Sequence, residues 1–231
     1  MRAIFVTATG TDIGKTMVAA GLLRHMRAAG HPVYAIKPVI TGFDAHAWQN
    51  TDPAVLLAAA GLPVTLHEVE RISPWRLAAP LSPDMAARRE GRTIDFAQVV
   101  EFCHDALQRH SGFVVIEGVG GIMVPLDERH TVLDWMSLLR IPLILVTGTY
   151  VGALSHTLTA LEVLARRNLD VAAVAVSESA ESAASLEETL VTLERFADSI
   201  DVIAIPRLQG TSCDHPAWRR LAAVIVPSFT K

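Results

Sequence analysis

The sequence predicts an α/β fold with a mostly parallel central sheet and helices on both faces, and three observations predict it. Short runs that are apolar at nearly every residue recur along the chain. Helical patterns fall between several of them, and a glycine-bearing loop ending in Gly14-Lys15-Thr16 stands directly after the first run. Strands buried on both faces read as continuous rather than alternating apolar runs. Strands that alternate with helices imply parallel pairing, with ligands taken at the carboxyl ends of the strands.

In chain order, strands are expected at residues 3–7, 33–36, 113–116, 143–147, 171–176 and 202–205. The first helix carries Leu22, Leu23 and Met26 and stops before Gly30, a residue suited to the left-handed C-terminal cap. Residues 95–109 place Phe96, Val99, Val100, Cys103 and Leu107 on one helical stripe, and residues 152–167 do the same with Leu154, Leu158, Leu161 and Ala165. Asn168 stands where that second helix should end, and Leu186, Leu190, Leu193 and Ala197 mark a third. Between residues 42 and 92, Pro53, Pro63, Pro74, Pro80 and Pro83 break the pattern. This stretch reads as a loop-rich insertion with short helices that shapes the substrate site.

A chain of 231 residues with 51% hydrophobic residues can bury one large core, so residues 1–231 are read as a single domain. A net charge of -4 supplies no basic field for nucleic acid or anionic lipid, and neither is expected as a partner. Cys103 and Cys213 form no disulfide framework or zinc spacing. No signal peptide precedes the first strand, and no apolar run reaches the ~18 residues of a membrane span. A soluble, cytoplasmic protein is expected.

The first strand runs into Ala8-Thr9-Gly10-Thr11-Asp12-Ile13-Gly14-Lys15-Thr16, followed by Met17 and the helix. That order suits a phosphate-binding loop of the P-loop NTPase kind. Backbone N–H groups at the helix start can cradle phosphate oxygens, Lys15 can neutralise their charge, and the Thr16 hydroxyl can ligate magnesium. Thr9 occupies the place of the usual first glycine, so Gly10 is expected to supply the flexibility. Lys15, Lys37 and Lys231 are the only lysines among 20 basic side chains. The two internal ones follow the first two strands, which points to a need for compact ammonium charges there.

A second glycine loop, Glu117-Gly118-Val119-Gly120-Gly121, follows the buried-type run 113–116. A carboxylate at that strand end either turns to solvent or holds magnesium, directly or through water, and the glycines allow backbone to approach phosphate or substrate. Asp52 before Pro53 reads as a helix cap, and the same carboxylate is a candidate magnesium ligand. Lys37 either faces the crevice of Lys15 or is a solvated loop lysine. The nine histidines show no ligand spacing, and none, His156 included, is given a metal or general-base role. Trp48, Trp75, Trp135 and Trp218 are read as packing residues.

From the first strand to Leu208 the chain resembles dethiobiotin synthetase, a P-loop family of biotin biosynthesis. The likeness rests on Gly10-Thr11-Asp12-Ile13-Gly14-Lys15-Thr16, Lys37-Pro38-Val39-Ile40-Thr41-Gly42, Asn50-Thr51-Asp52, Ala79-Pro80-Leu81-Ser82-Pro83, Glu117-Gly118-Val119-Gly120-Gly121 and Pro125-Leu126. The resemblance implies that ATP drives closure of the ureido ring from 7,8-diaminononanoate and CO2, through a carbamate that ATP phosphorylates. It implies that Lys15 and Lys37 stabilise the phosphoryl group and carbamate, that Thr16, Asp52 and Glu117 surround Mg2+, and that Thr11 and Thr41 touch substrate. Asp12, Ile13, Gly14, Met17, Gly118, Val119 and Gly120 would complete the nucleotide site, with Pro206, Arg207 and Leu208 on the side of the base. The family is typically homodimeric. Ala8 stands where it usually has glycine, and Ser177-Glu178 replaces the asparagine-aspartate pair that reads adenine.

Two rivals share the phosphate machinery. One is a related P-loop amidoligase or kinase acting on another small amine or acid. The other is a partitioning or membrane-positioning switch ATPase, which usually carries a further lysine near the start of the loop, where this chain has Ala8-Thr9-Gly10.

Overall fold

The computed structural model describes residues 3–182, 184–207 and 215–225. Leu208 and Cys213 lie outside them. Six parallel strands form one sheet: β1 (Ala3–Ala8), β2 (Val33–Ile36), β5 (Phe113–Glu117), β6 (Leu143–Gly148), β7 (Val171–Ser177) and β8 (Asp201–Ile205), in the order β2-β5-β1-β6-β7-β8. Each expected strand is present, and most extend a residue further. From β1 the chain moves to one side of the sheet and from β5 to the other, so the carboxyl ends of β1 and β5 frame the crevice where such folds bind ligands.

Alternation along β1 divides the core. Ile4, Val6 and Ala8 face the layer built by α1 (Lys15–Ala28) and α9 (Pro216–Ile225), while Ala3 and Phe5 face the layer that includes α5 (Phe96–Arg109), α6 (Val132–Leu139), α7 (Ala153–Arg166) and α8 (Leu186–Glu194). Each fully buried Leu, Ile or Phe in these layers contributes about 2 kcal/mol. Trp135 meets Phe5 edge-to-face at 5.0 Å. Trp218 crosses α1 at Gly21, where an added Cβ would lie 2.4 Å from the indole. Gly30 (φ 85°) and Asn168 (φ 53°) end α1 and α7 in the left-handed region, and the amides that follow them bond back to Met26 and Leu164.

The region expected to be loop-rich with short helices holds such helices and, beyond the expectation, a strand of a small second sheet. It holds a 3-10 turn at Trp48–Asn50, then α2 (Asp52–Ala60), α3 (Leu66–Ile72) and α4 (Pro83–Arg89). A strand β4 (Trp75–Leu77) pairs in parallel with β3 (Val39–Thr41) as a small second sheet. Pro53 and Pro83 open helices rather than break them, because an N-terminal helical residue has no bonded N–H to lose. The two three-residue strands are too short to leave a periodic signal.

Candidate functional site

The phosphate loop is anchored on both sides. Thr9 N–H donates to Val146 O at 2.9 Å, and from the second glycine loop Gly118 N–H reaches Val6 O at 3.0 Å and Ile122 N–H reaches Ala8 O at 3.1 Å. The left-handed residues of the turn are Asp12 (φ 57°) and Gly14 (φ 101°). Gly10 was expected to supply that freedom and does not, since its φ is not positive; Asp12 takes the role because a short polar side chain tolerates this conformation. Ala8 is the last residue of β1, in extended backbone, and needs no glycine. Gly14 caps α1 without a side-chain bond, leaving the first amides of the helix to an anion.

Lys15, at 8% exposure, bends back to Gly10 O at 3.0 Å. Burial, aided by the neighbouring charge of Lys37, lowers its pKa to about 8. Lys37 faces the same cavity and is no solvated loop residue: its Nζ lies 2.6 Å from Glu117 Oε1, 3.1 Å from Asp52 Oδ2 and 3.2 Å from Gly118 O. Burial pushes this ammonium towards neutrality, but Glu117 and Asp52 together outweigh it and hold its pKa above the ordinary value. Asp52 is likewise disfavoured by burial and, held chiefly by Lys37, keeps a lowered pKa. The N-cap of α2 is Thr51, not Asp52 as expected; Asp52 begins the helix, and its carboxylate is turned to Lys37.

Thr16 Oγ1 donates to Glu117 Oε1 at 2.8 Å, so one carboxylate oxygen takes both the hydroxyl and the Lys37 ammonium. The other, Oε2, is buried without a hydrogen-bond partner. A buried, unpartnered carboxylate oxygen is costly, and a divalent cation beside Thr16 would satisfy it. Among the described residues no three His, Cys, Asp or Glu side chains converge on one point.

A cavity of about 330 Å³ unites Thr11, Asp12, Gly14, Lys15, Thr16, Lys37, Thr41, Asp52, Val119 and Gly120. Behind Gly14, a second hollow of about 380 Å³ is lined by Asp12, Ile13, Met17, Ser177, Glu178 and Arg207, and Glu178 Oε2 accepts from Arg207 N–H at 2.9 Å. Pro206 is not among its lining residues. A third hollow, about 480 Å³, opens from Thr9, Gly10 and Thr11 towards Met123, His156 and Thr159. There Tyr150 OH lies 3.2 Å from Thr9 Oγ1 and 3.0 Å from His156 Nδ1. In the sequence His156 was given no role and Tyr150 was not singled out, because a lone Tyr ahead of α7 and a lone His on its apolar pattern carry no spacing signal. A larger hollow, about 830 Å³ along α5, is lined by neither Lys15 nor Lys37; charge rather than size marks the site.

A family model described as "AAA domain" matches residues 2–212. The ATP-dependent dethiobiotin synthetase of Acidiphilium cryptum is 45% identical over 201 residues, 87% of each chain. That of Caulobacter sp. strain K31 is 41% identical over 230 residues, covering 99% of this chain and 98% of the relative. Among solved structures, the MinC:MinD cell division complex of Aquifex aeolicus superimposes with a TM-score of 0.53 at 13% identity, over 90% of this chain and 82% of the other. The ParA family ATPase of Chlorobium tepidum gives 0.52 at 12%, over 100% and 95%. At such identities the structural likeness speaks for the fold alone.

Proposed function

The chain belongs to the ATP-dependent dethiobiotin synthetases, and we propose that it closes the ureido ring in the cavity between Lys15, Lys37 and Glu117. The observation that carries this reading is the placement of two ammonium groups in one cavity, one of them pinned by Glu117 and Asp52. One amine of 7,8-diaminononanoate adds to CO2 and loses a proton, giving a carbamate. A carbamate oxygen takes the γ-phosphoryl group of ATP and ADP leaves. The second amine then attacks the carbonyl carbon, closing the ring as phosphate departs.

Lys37 is the charge that faces the carbamate, and Lys15 the charge on the transferred phosphoryl group. Preorganised cations stabilise charge as it develops without reorganising. The α1 amides and Gly14 hold the phosphates, while Val119 and Gly120 border the opposite wall. Thr11 and Thr41 line the amine side. Thr16, Glu117 and Asp52 would hold Mg2+, which neutralises phosphate charge when bound. The base would lie in the hollow of Met17, Ser177, Glu178 and Arg207.

We further propose a homodimer, supported by the exposed apolar side chains of Met123 at the third hollow and of Val151 and Leu154 about the start of α7. We also propose a cytoplasmic setting, supported by Cys103, a buried cysteine held as a free thiol. Among the described residues no helix is long and apolar enough to cross a membrane. The test of the reaction is phosphate release from ATP with magnesium and bicarbonate, with and without the diamine, while dethiobiotin is followed by mass spectrometry. Product formed one-for-one with phosphate is expected. Phosphate release indifferent to the diamine, with no product, would refute it.

A further inference from the structure

We propose that His156 takes the proton that the diamine loses as it adds CO2, an inference that rests on the reaction proposed above. A chain of hydroxyl groups beside the phosphate loop sets up this role, because each hydroxyl has one hydrogen to give. Thr157 gives its own to Ala153 O at 2.6 Å, so at the 2.7 Å contact between Thr147 and Thr157 it is Thr147 that donates. Thr9 donates to Thr147 at 3.3 Å. The Tyr150 hydroxyl, 3.2 Å from Thr9 Oγ1, then donates to Thr9. With that hydrogen used, Tyr150 accepts from His156 Nδ1–H at 3.0 Å. This direction fixes the tautomer and leaves Nε2 as the acceptor nitrogen. Protonation at Nε2 reverses no bond of the chain, so the base acts without rearrangement.

His156 is exposed at the third hollow, and among the described residues that line it no other side chain titrates. Thr11 lines both this hollow and the phosphate cavity, so an amine held at Thr11 stands where the two spaces meet. Tyr150 faces His156 from the turn before α7, the second glycine loop contributes only uncharged side chains, and Asp12 and Lys15 line the phosphate cavity but not the third hollow. Asp52 and Glu117 are both engaged by Lys37. As the amine nitrogen bonds to the CO2 carbon, one C=O electron pair moves onto oxygen. The N–H bond breaks with its pair left on nitrogen, and the proton passes to Nε2 directly or through one water. The imidazolium returns it to solvent before the next turnover.

The experiment is dethiobiotin formation at saturating magnesium-ATP and bicarbonate in the unaltered protein, His156→Ala and Tyr150→Phe, each with and without added imidazole. His156→Ala should lower kcat about 100-fold, leave the KM for ATP within about twofold and regain about tenfold with imidazole, which leaves the unaltered protein unmoved. Pyrazole, of the same shape and far weaker basicity, should restore nothing. Tyr150→Phe, which frees the tautomer and keeps the base, should lose less than His156→Ala. An unchanged kcat in His156→Ala, a loss that imidazole does not lift or that pyrazole lifts equally, or a larger loss in Tyr150→Phe would overturn the inference. No dethiobiotin from the unaltered protein would instead sink the reaction itself.

Discussion

The ammonium of Lys37 and the carboxylate of Glu117 meet at 2.6 Å with both side chains buried, although 80 residues separate them in the chain. Removing one partner of a buried pair leaves the other charge without compensation, at a cost of about 3 kcal/mol or more. Lys37→Ala should therefore lose both activity and about that much unfolding free energy in urea. Lys37→Met combined with Glu117→Leu should regain most of the stability and none of the activity. A single variant as stable as the parent would show that the pair is solvated.

Lys15 should make nucleotide binding depend on pH in one direction. Its pKa of about 8 means that the ammonium is charged below that pH and increasingly neutral above it. Phosphates favour the charged form, so above about pH 8 binding takes up a proton and Kd rises by up to about tenfold per pH unit. Lys15→Arg, which stays protonated, should bind with a flat profile. Calorimetric titration of magnesium-ATP across this range checks both.

Without nucleotide the same group works oppositely on stability. Its folded pKa is lowered from 10.5 to about 8, so between these values the unfolded chain binds more protons than the folded one. Its contribution should then make unfolding free energy rise with pH through that window. The difference in pH slope between the parent and Lys15→Met isolates it, and identical slopes would contradict the burial argument.

Thr16→Val removes the hydroxyl that donates to Glu117 Oε1 and keeps the shape. The magnesium concentration for half-maximal activity should rise about tenfold or more. An unchanged magnesium requirement would remove Thr16 from the proposed cation site.

Gly21→Ala drives a methyl group into the Trp218 indole, 2.4 Å from the nearest ring atom. Overpacking of this kind costs about 1–3 kcal/mol. Pairing it with Trp218→Leu should cost less than the sum of the two single losses, measured as an interaction free energy in denaturant.

Some of this was legible along the chain because its causes are local. The run Ala3–Ala8, the turn and the helix that Lys15 starts are contiguous, and the apolar stripe of Phe96, Val99 and Cys103 writes its own period. The roles of Gly10 and Asp12 were not, since which residue of a glycine-bearing turn becomes left-handed depends on the bonds that Val146, Gly118 and Ile122 make around it. The β3–β4 pair escaped because three-residue strands are defined by their partner.

By itself, then, the sequence determined a parallel α/β sheet with a phosphate loop and a second glycine loop at strand ends, because periodicity and motif order are properties of neighbouring residues. Only the tertiary structure decided that Asp52 turns from capping to Lys37, that Glu117 keeps one oxygen unpartnered, and that Glu178 is oriented by Arg207. Those outcomes belong to groups brought together by strand order and buried in a low dielectric, where each charge is set by the partners that packing supplies rather than by its neighbours in the chain.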